Sequence, residues 1–183
     1  LHPPPGHYQV ATLLPPTVGP VEAYRRQPQA HGGERYVAIL FADIRGFTAI
    51  SEGKLPYDVV FLLNRYFRTT GQAIEAAGGR VDKFIGDGVM AIFGLTVEPQ
   101  TACRQALDAA RRMIVSLEDL NRALANDLDQ PLRIGIGLHS GPTIVGEMGY
   151  GRATQLTAIG DTVNTASRLE SLTKDFTAEL VVS

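Results

Sequence analysis

Two aspartates are placed where carboxylates can do chemistry. Asp43 closes the unbroken apolar run "YVAILFA" at residues 36–42, the pattern of a strand buried on both faces, so its side chain sits at the carboxyl end of a central strand. Asp87 stands between Gly86 and Gly88 in "FIGDGVM", a Gly-Asp-Gly step between two short strand-like segments. In a split βαβ arrangement those strands are neighbours, and both carboxylates reach one edge of the sheet. Carboxylates held close together repel. A divalent cation relieves this, and Mg²⁺ in particular is held by one or two carboxylates together with a substrate's phosphates. Glycines on both sides of Asp87 leave the backbone open to such a group. A plainer reading stands beside this one: Asp87 as turn punctuation, and Asp43 as the cap of the turn "DIRG".

Three further residues attract attention by spacing. Period-two alternation puts Lys83 on the side of Val81 and Ile85, where a lysine needs a reason: a ligand, a carboxylate partner, or a stem that reaches out to water. Asn164 and Arg168 are four apart, hence on one helix face, with Val163, Ala166, Leu169 and Leu172 free to pack the other. By periodicity alone that polar face is an ordinary solvated one.

The elements that must position these residues read as follows. After the strand ending at Asp43, a helix opens at Pro56 and closes on Gly78, with an apolar face through Val59, Leu62, Leu63, Tyr66 and Phe67. "RVDKFIG" and "VMAIFG" flank the Gly-Asp-Gly turn as strands, and residues 101–126 form a second long helix. "LRIGIGLHSG" alternates apolar residues with glycine, a strand against whose backbone something packs closely. A separate strand "TIVGEMG", a polar excursion over 149–158, a helix over 161–172 and a last strand "AELVVS" complete the order β α β β α β β α β. That order predicts an α+β, ferredoxin-like βαββαβ-type sandwich: a mainly antiparallel sheet with helices on one face.

Composition sets the bounds. The 183 residues, 44% hydrophobic and 20% charged, are enough for one domain with a core, preceded by a Pro-rich lead-in over residues 1–34. A net charge of −2 provides no basic footprint for nucleic acid, and no apolar run is long enough to cross a bilayer. The single cysteine, Cys103, cannot form an internal disulfide, and no Cys/His spacing suits structural zinc; a reducing compartment is expected. Cys103 and His139 read as structural, and His2, His7 and His31 lie in the lead-in without ligand spacing. The start at Leu1 leads to the expectation of a piece of a longer polypeptide.

"FADIRGFT", "VDKFIGDGVMAIFG" and "IGDTVNTASRLE", in this order, resemble the class III nucleotidyl cyclase catalytic domain over residues 36–183. The resemblance implies that Asp43 and Asp87, with the backbone of Ile44, hold two Mg²⁺ or Mn²⁺ ions. It places Gly46, Phe47 and Thr48 at the β- and γ-phosphates, where a helix N-terminus offers free N–H groups. Lys83 falls where adenylyl cyclases carry the lysine that recognises adenine N1, and Thr157 where its usual partner is aspartate. Threonine at that position resembles the bicarbonate-responsive subgroup. A lysine ammonium has donors only, so it suits adenine N1 and opposes guanine N1–H, whereas a threonine hydroxyl can donate or accept. "NTASR" matches the asparagine that orients the ribose and the arginine that stabilises the charged phosphorane, here Asn164 and Arg168.

The activity so implied is ATP to 3′,5′-cyclic AMP and pyrophosphate in a cytoplasmic domain, within a full-length protein carrying regulatory or membrane-anchoring parts. A homodimer with two shared sites is expected, with the 149–158 excursion as the arm that reaches the partner. Guanylyl or relaxed specificity is the alternative that Thr157 leaves open. A silent nucleotide-binding or dimerisation module is another, prompted by two departures: Pro142 stands where some members carry a triphosphate-contacting arginine, and the chain stops at Ser183, before the family's last segment.

Overall fold

The computed structural model describes residues 32–183; the lead-in expected over 1–34 lies almost wholly outside the described residues. Strand β1 (Gly33–Ile44) is the centre of the sheet, antiparallel to β3 (Gly88–Phe93) on one side and to β4 (Ile134–Met148) on the other. With β2 (Arg80–Ile85) and β5 (Gln155–Ile159) the order is β2-β3-β1-β4-β5, and β6 (Leu180–Val182) pairs in parallel with β4. β1 is buried on both faces, as its unbroken apolar run requires. Ala38, Leu40, Ala42 and Ile44 enter one core cluster, and Val37 and Ile39 enter a second. Each of the valine, leucine and isoleucine side chains among them contributes about 1.5–3 kcal/mol on burial.

Helices α2 (Pro56–Ala76) and α3 (Pro99–Ala123) follow the short α1 (Phe47–Glu52) and pack on the first face. Each of the two long helices opens on a proline, whose missing N–H costs nothing in the first turn. Leu62, Tyr66 and Ile74 of α2 meet Ala106, Ala110 and Met113 of α3 in the same cluster. Among the described residues no helix is long and apolar enough to cross a membrane.

The α+β class and the mainly antiparallel sheet stand as expected, but the helices do not all share one face. Helix α4 (Asp161–Asp175) lies on the opposite side from α2 and α3. In β4, Ile134, Ile136 and Leu138 point to the first cluster, while a Cβ on the alternate Gly137 would collide with Glu170 N and Ala166 O of α4. The glycines of "IGIG" therefore exist so that α4 can rest on the strand's backbone. The buried face of α4 also differs from expectation. Thr162, Ala166, Glu170 and Thr173 face the sheet, whereas Leu172 is 38% exposed.

"LRIGIGLHSG" and "TIVGEMG" are not separate strands; β4 runs through Pro142 for 15 residues. Pro142 O accepts a hydrogen bond from Thr162 Oγ1 (2.7 Å), and the N and O of a strand residue point to the same side. Its missing N–H therefore falls in the gap between the stretch paired with β6 (136–138) and that paired with β5 (144–148). Part of the expected excursion is ordered structure as well: Gln155–Ile159 is β5, joined to β4 through a 3₁₀ turn at Gly151–Ala153.

Candidate active site

β1 ends beside the β2–β3 turn, and the two aspartates meet there. Gly86 takes φ +59°, which a glycine accepts without strain, and turns the chain so that Asp87 points back at β1. Asp87 Oδ2 accepts the N–H of Ile44 at 3.0 Å, the residue next to Asp43. Burial pushes the Asp87 pKa up, its own N–H and that of Ile44 draw it back, and the negative charge of Asp43 adds to the rise. Asp43 Oδ1 is buried without a hydrogen-bond partner. A pair of carboxylates with an unpartnered buried oxygen is a hard-oxygen donor set, which a divalent cation and a phosphate would complete. Among the described residues no group of three or more His, Cys, Asp or Glu gathers as a metal site by itself.

Behind Asp43 stands a residue that sequence reasoning overlooked. Glu170 of α4 is 8% exposed, and its pKa is pushed up to about 8, by burial first and then by a hydrogen bond to Asp43 and that residue's charge. Burial and the neighbouring charge of Asp43 thus favour the protonated form of Glu170, whose Oε1, like Asp43 Oδ1, is buried without a hydrogen-bond partner. Arg45 keeps α4 in place, donating from Nη2 to Thr173 O (2.8 Å) and to Ala178 O. The signal was present in the spacing, since Glu170 lies four residues after Ala166 on the face opposite β4's glycines. Reading α4's apolar residues as its buried face concealed it. Tyr66 contributes a second buried polar atom; its hydroxyl lacks a partner, and burial, then Asp43, Asp87 and Glu170, push its pKa well up.

Gly46, in the left-handed region at φ +63°, opens α1; Phe47 packs against the first cluster and Thr48 is exposed. No side chain caps the helix, so its first amides are not taken by one.

Lys83 and Thr157 come together, though not as alternation predicts. Between Val81 and Lys83 the pairing shifts: Val81 is opposite Ala91, and Lys83 opposite Met90. Asp82 is the extra residue of a β-bulge, so Lys83 faces the second side of the sheet with Met90, away from Val81. The long β4 coils over that side, and Val145 and Ala158 pack with Met90 and Ile92 in one cluster. Thr157 thereby reaches β2 and donates to Asp82 Oδ2 at 2.7 Å, while Lys83 Nζ lies 3.4 Å from the same oxygen. Asn164 and Arg168 are exposed on α4, and neither side chain has a hydrogen bond or ion pair among the described residues. The chain thus brings together Asp43, Ile44 and Asp87 in one group and Lys83 and Thr157 in another, and leaves Asn164 and Arg168 facing outward.

This fold is that of nucleotidyl cyclase catalytic domains. The solved guanylyl cyclase Cya2 superposes with a TM-score of 0.73 at 37% identity, covering 77% of this chain and 72% of that one. A bacterial light-regulated adenylyl cyclase superposes at 0.74 and 36%, covering 83% and 44%. The chain belongs to the adenylate and guanylate cyclase catalytic domain family, whose profile matches residues 30–181. An adenylate cyclase of Anabaena cylindrica is 38% identical over 153 residues, 81% of this chain and 30% of the relative. The chain spans less than a third of the length of the curated relatives it matches first.

Proposed function

We propose that residues 35–183 are an adenylyl cyclase catalytic domain, which converts ATP to 3′,5′-cyclic AMP and pyrophosphate. The observation that carries this reading is Asp87 held by the Ile44 amide beside an unpartnered buried oxygen of Asp43. Asp43, Asp87 and the Ile44 backbone would hold two Mg²⁺ or Mn²⁺ ions, which would supply charge neutralisation for the triphosphate and a lowered pKa for the ribose 3′-hydroxyl. The Ile44 amide keeps Asp87 oriented without any contribution from the nucleotide. Gly46, Phe47 and Thr48 follow directly and present the amides of α1 to the β- and γ-phosphates.

Identity near 37% to both a guanylyl and an adenylyl cyclase leaves the base to the pocket. Lys83 favours adenine, because its donors match N1 and oppose guanine N1–H. Asn164 and Arg168 face away from their own chain and serve the site of a second copy, Asn164 on the ribose and Arg168 on the phosphorane charge. A head-to-tail homodimer then carries two equivalent sites. The domain works in the cytoplasm, under regulatory parts that occupy the remaining length of such proteins.

The test is to incubate the purified chain with Mn²⁺ and either ATP or GTP and to separate the products. Cyclic AMP from ATP alone supports the proposal. Cyclic GTP-derived product in excess would favour the guanylyl reading, and no product from a folded dimer would favour a silent module.

A further inference from the structure

The threonine at position 157 leaves base recognition ambiguous only while its hydroxyl is free. We propose that Asp82 is the positioning residue for base selectivity: it accepts the hydrogen bond of the Thr157 hydroxyl and so presents Thr157 to the base as an acceptor. This rests on the reading of Lys83 and Thr157 as the base-contacting pair.

A hydroxyl has one proton and an ionised carboxylate only accepts. The 2.7 Å separation of Thr157 Oγ1 and Asp82 Oδ2 is that of a full O–H···O bond. With its proton committed to Asp82, the oxygen that Thr157 turns to a ligand carries lone pairs alone. Asp82 is well fixed for this, since its side chain is 0% exposed and Lys83 Nζ approaches the same oxygen at 3.4 Å. Its other oxygen, Oδ1, is buried and lacks a partner, so it welcomes donors and repels carbonyls. The bulge makes the arrangement possible. Successive residues of a regular strand point to opposite faces, and inserting Asp82 as an unpaired residue lets it and Lys83 converge on one side.

The chemical consequence concerns purines. Adenine offers an acceptor at N1 and an amino donor at C6, matching a lysine donor and a threonine acceptor. Guanine offers a donor at N1 and a carbonyl at C6, and it opposes both. Asp82 therefore turns a permissive residue into an adenine-selective one without touching the base itself.

The test measures the dissociation constants of 3′-deoxy-ATP and 3′-deoxy-GTP with Mn²⁺; lacking the attacking hydroxyl, these bind without reacting. Asp82→Ala frees the Thr157 hydroxyl and lowers the ATP-over-GTP affinity ratio by about tenfold or more. Asp82→Asn, whose carbonyl can stand in for Oδ2, keeps the ratio within about threefold. Asp82→Ala in a Thr157→Val background changes the ratio no further, because the aspartate acts through the threonine. Asp82→Val replaces the alanine variant should the latter melt well below the wild type. An unchanged ratio in folded Asp82→Ala or Asp82→Val overturns the inference, and so does an equal drop in the Thr157→Val background. Selective binding without turnover of ATP itself would sink the cyclase reading and leave this one standing.

Discussion

Glu170 makes the chain's stability depend on pH in an unusual direction. The groups around it are Asp43, Arg45 and Lys174, with the Tyr66 phenol close by. Its pKa rises from 4.5 in the unfolded chain to about 8 in the fold. Below the lower value both states hold the proton, and the stability it accompanies is fully present. Between the two values the unfolded chain loses the proton while the fold retains it, so stability falls as pH rises, by up to about 1.4 kcal/mol per pH unit. Across the interval from 4.5 to about 8 the ceiling is about 5 kcal/mol, and relaxation around the Asp43–Glu170 pair brings the expected loss to ~2–5 kcal/mol. Glu170→Gln keeps the shape and the ability to donate to Asp43 but cannot titrate. The assay is guanidinium unfolding of both proteins from pH 4.5 to 9 with a chelator present. Wild-type stability minus that of the variant should decline through this window and level off above about pH 8. Parallel profiles would refute the reasoning, because they would mean that Glu170 titrates alike in both states.

Asp43→Ala and Asp87→Ala should each abolish Mn²⁺-dependent cyclic nucleotide formation while circular dichroism stays native; near-normal turnover would remove both from the metal assignment. An equimolar mixture of Asp43→Ala and Arg168→Ala chains should regain activity, since heterodimers assemble one whole site, and a dead mixture of dimeric variants would end the shared-site proposal. Gly137→Ala should cost about 1–3 kcal/mol, read as a lowered denaturation midpoint, because the added methyl drives into Glu170 and Ala166; an unaltered midpoint would mean that α4 does not rest on β4.

Local pattern reveals much here, because it reports local needs. "YVAILFA" must lie where both faces are covered, which makes β1 central and places Asp43 at its end. Pro56 marks a helix start, and glycines spaced by two in "IGIG" announce a close neighbour without saying which. Where the reading departed from the structure, a distant contact had decided the matter. "LRIGIGLHSG" and "TIVGEMG" read as two strands, yet one strand continues through Pro142 because its missing donor faces a stretch where no partner runs alongside. Leu172 looked like core, yet Glu170 is buried because α4 meets glycines of β4 at that turn.

The sequence by itself determined which residues stand at strand ends and turns, and hence that Asp43 and Asp87 could share a sheet edge. It also determined the periodicities that make α2 and α3 one layer. Only the tertiary structure decided the environment of those residues: a buried glutamate with a raised pKa behind Asp43, a bulge that turns Lys83 to the second face, and a threonine bonded to an aspartate 75 positions away. The reason is physical. A strand's period is set by its own backbone, whereas the coil of a long strand and the place where a ladder slips by one residue are set by the packing of everything on either side.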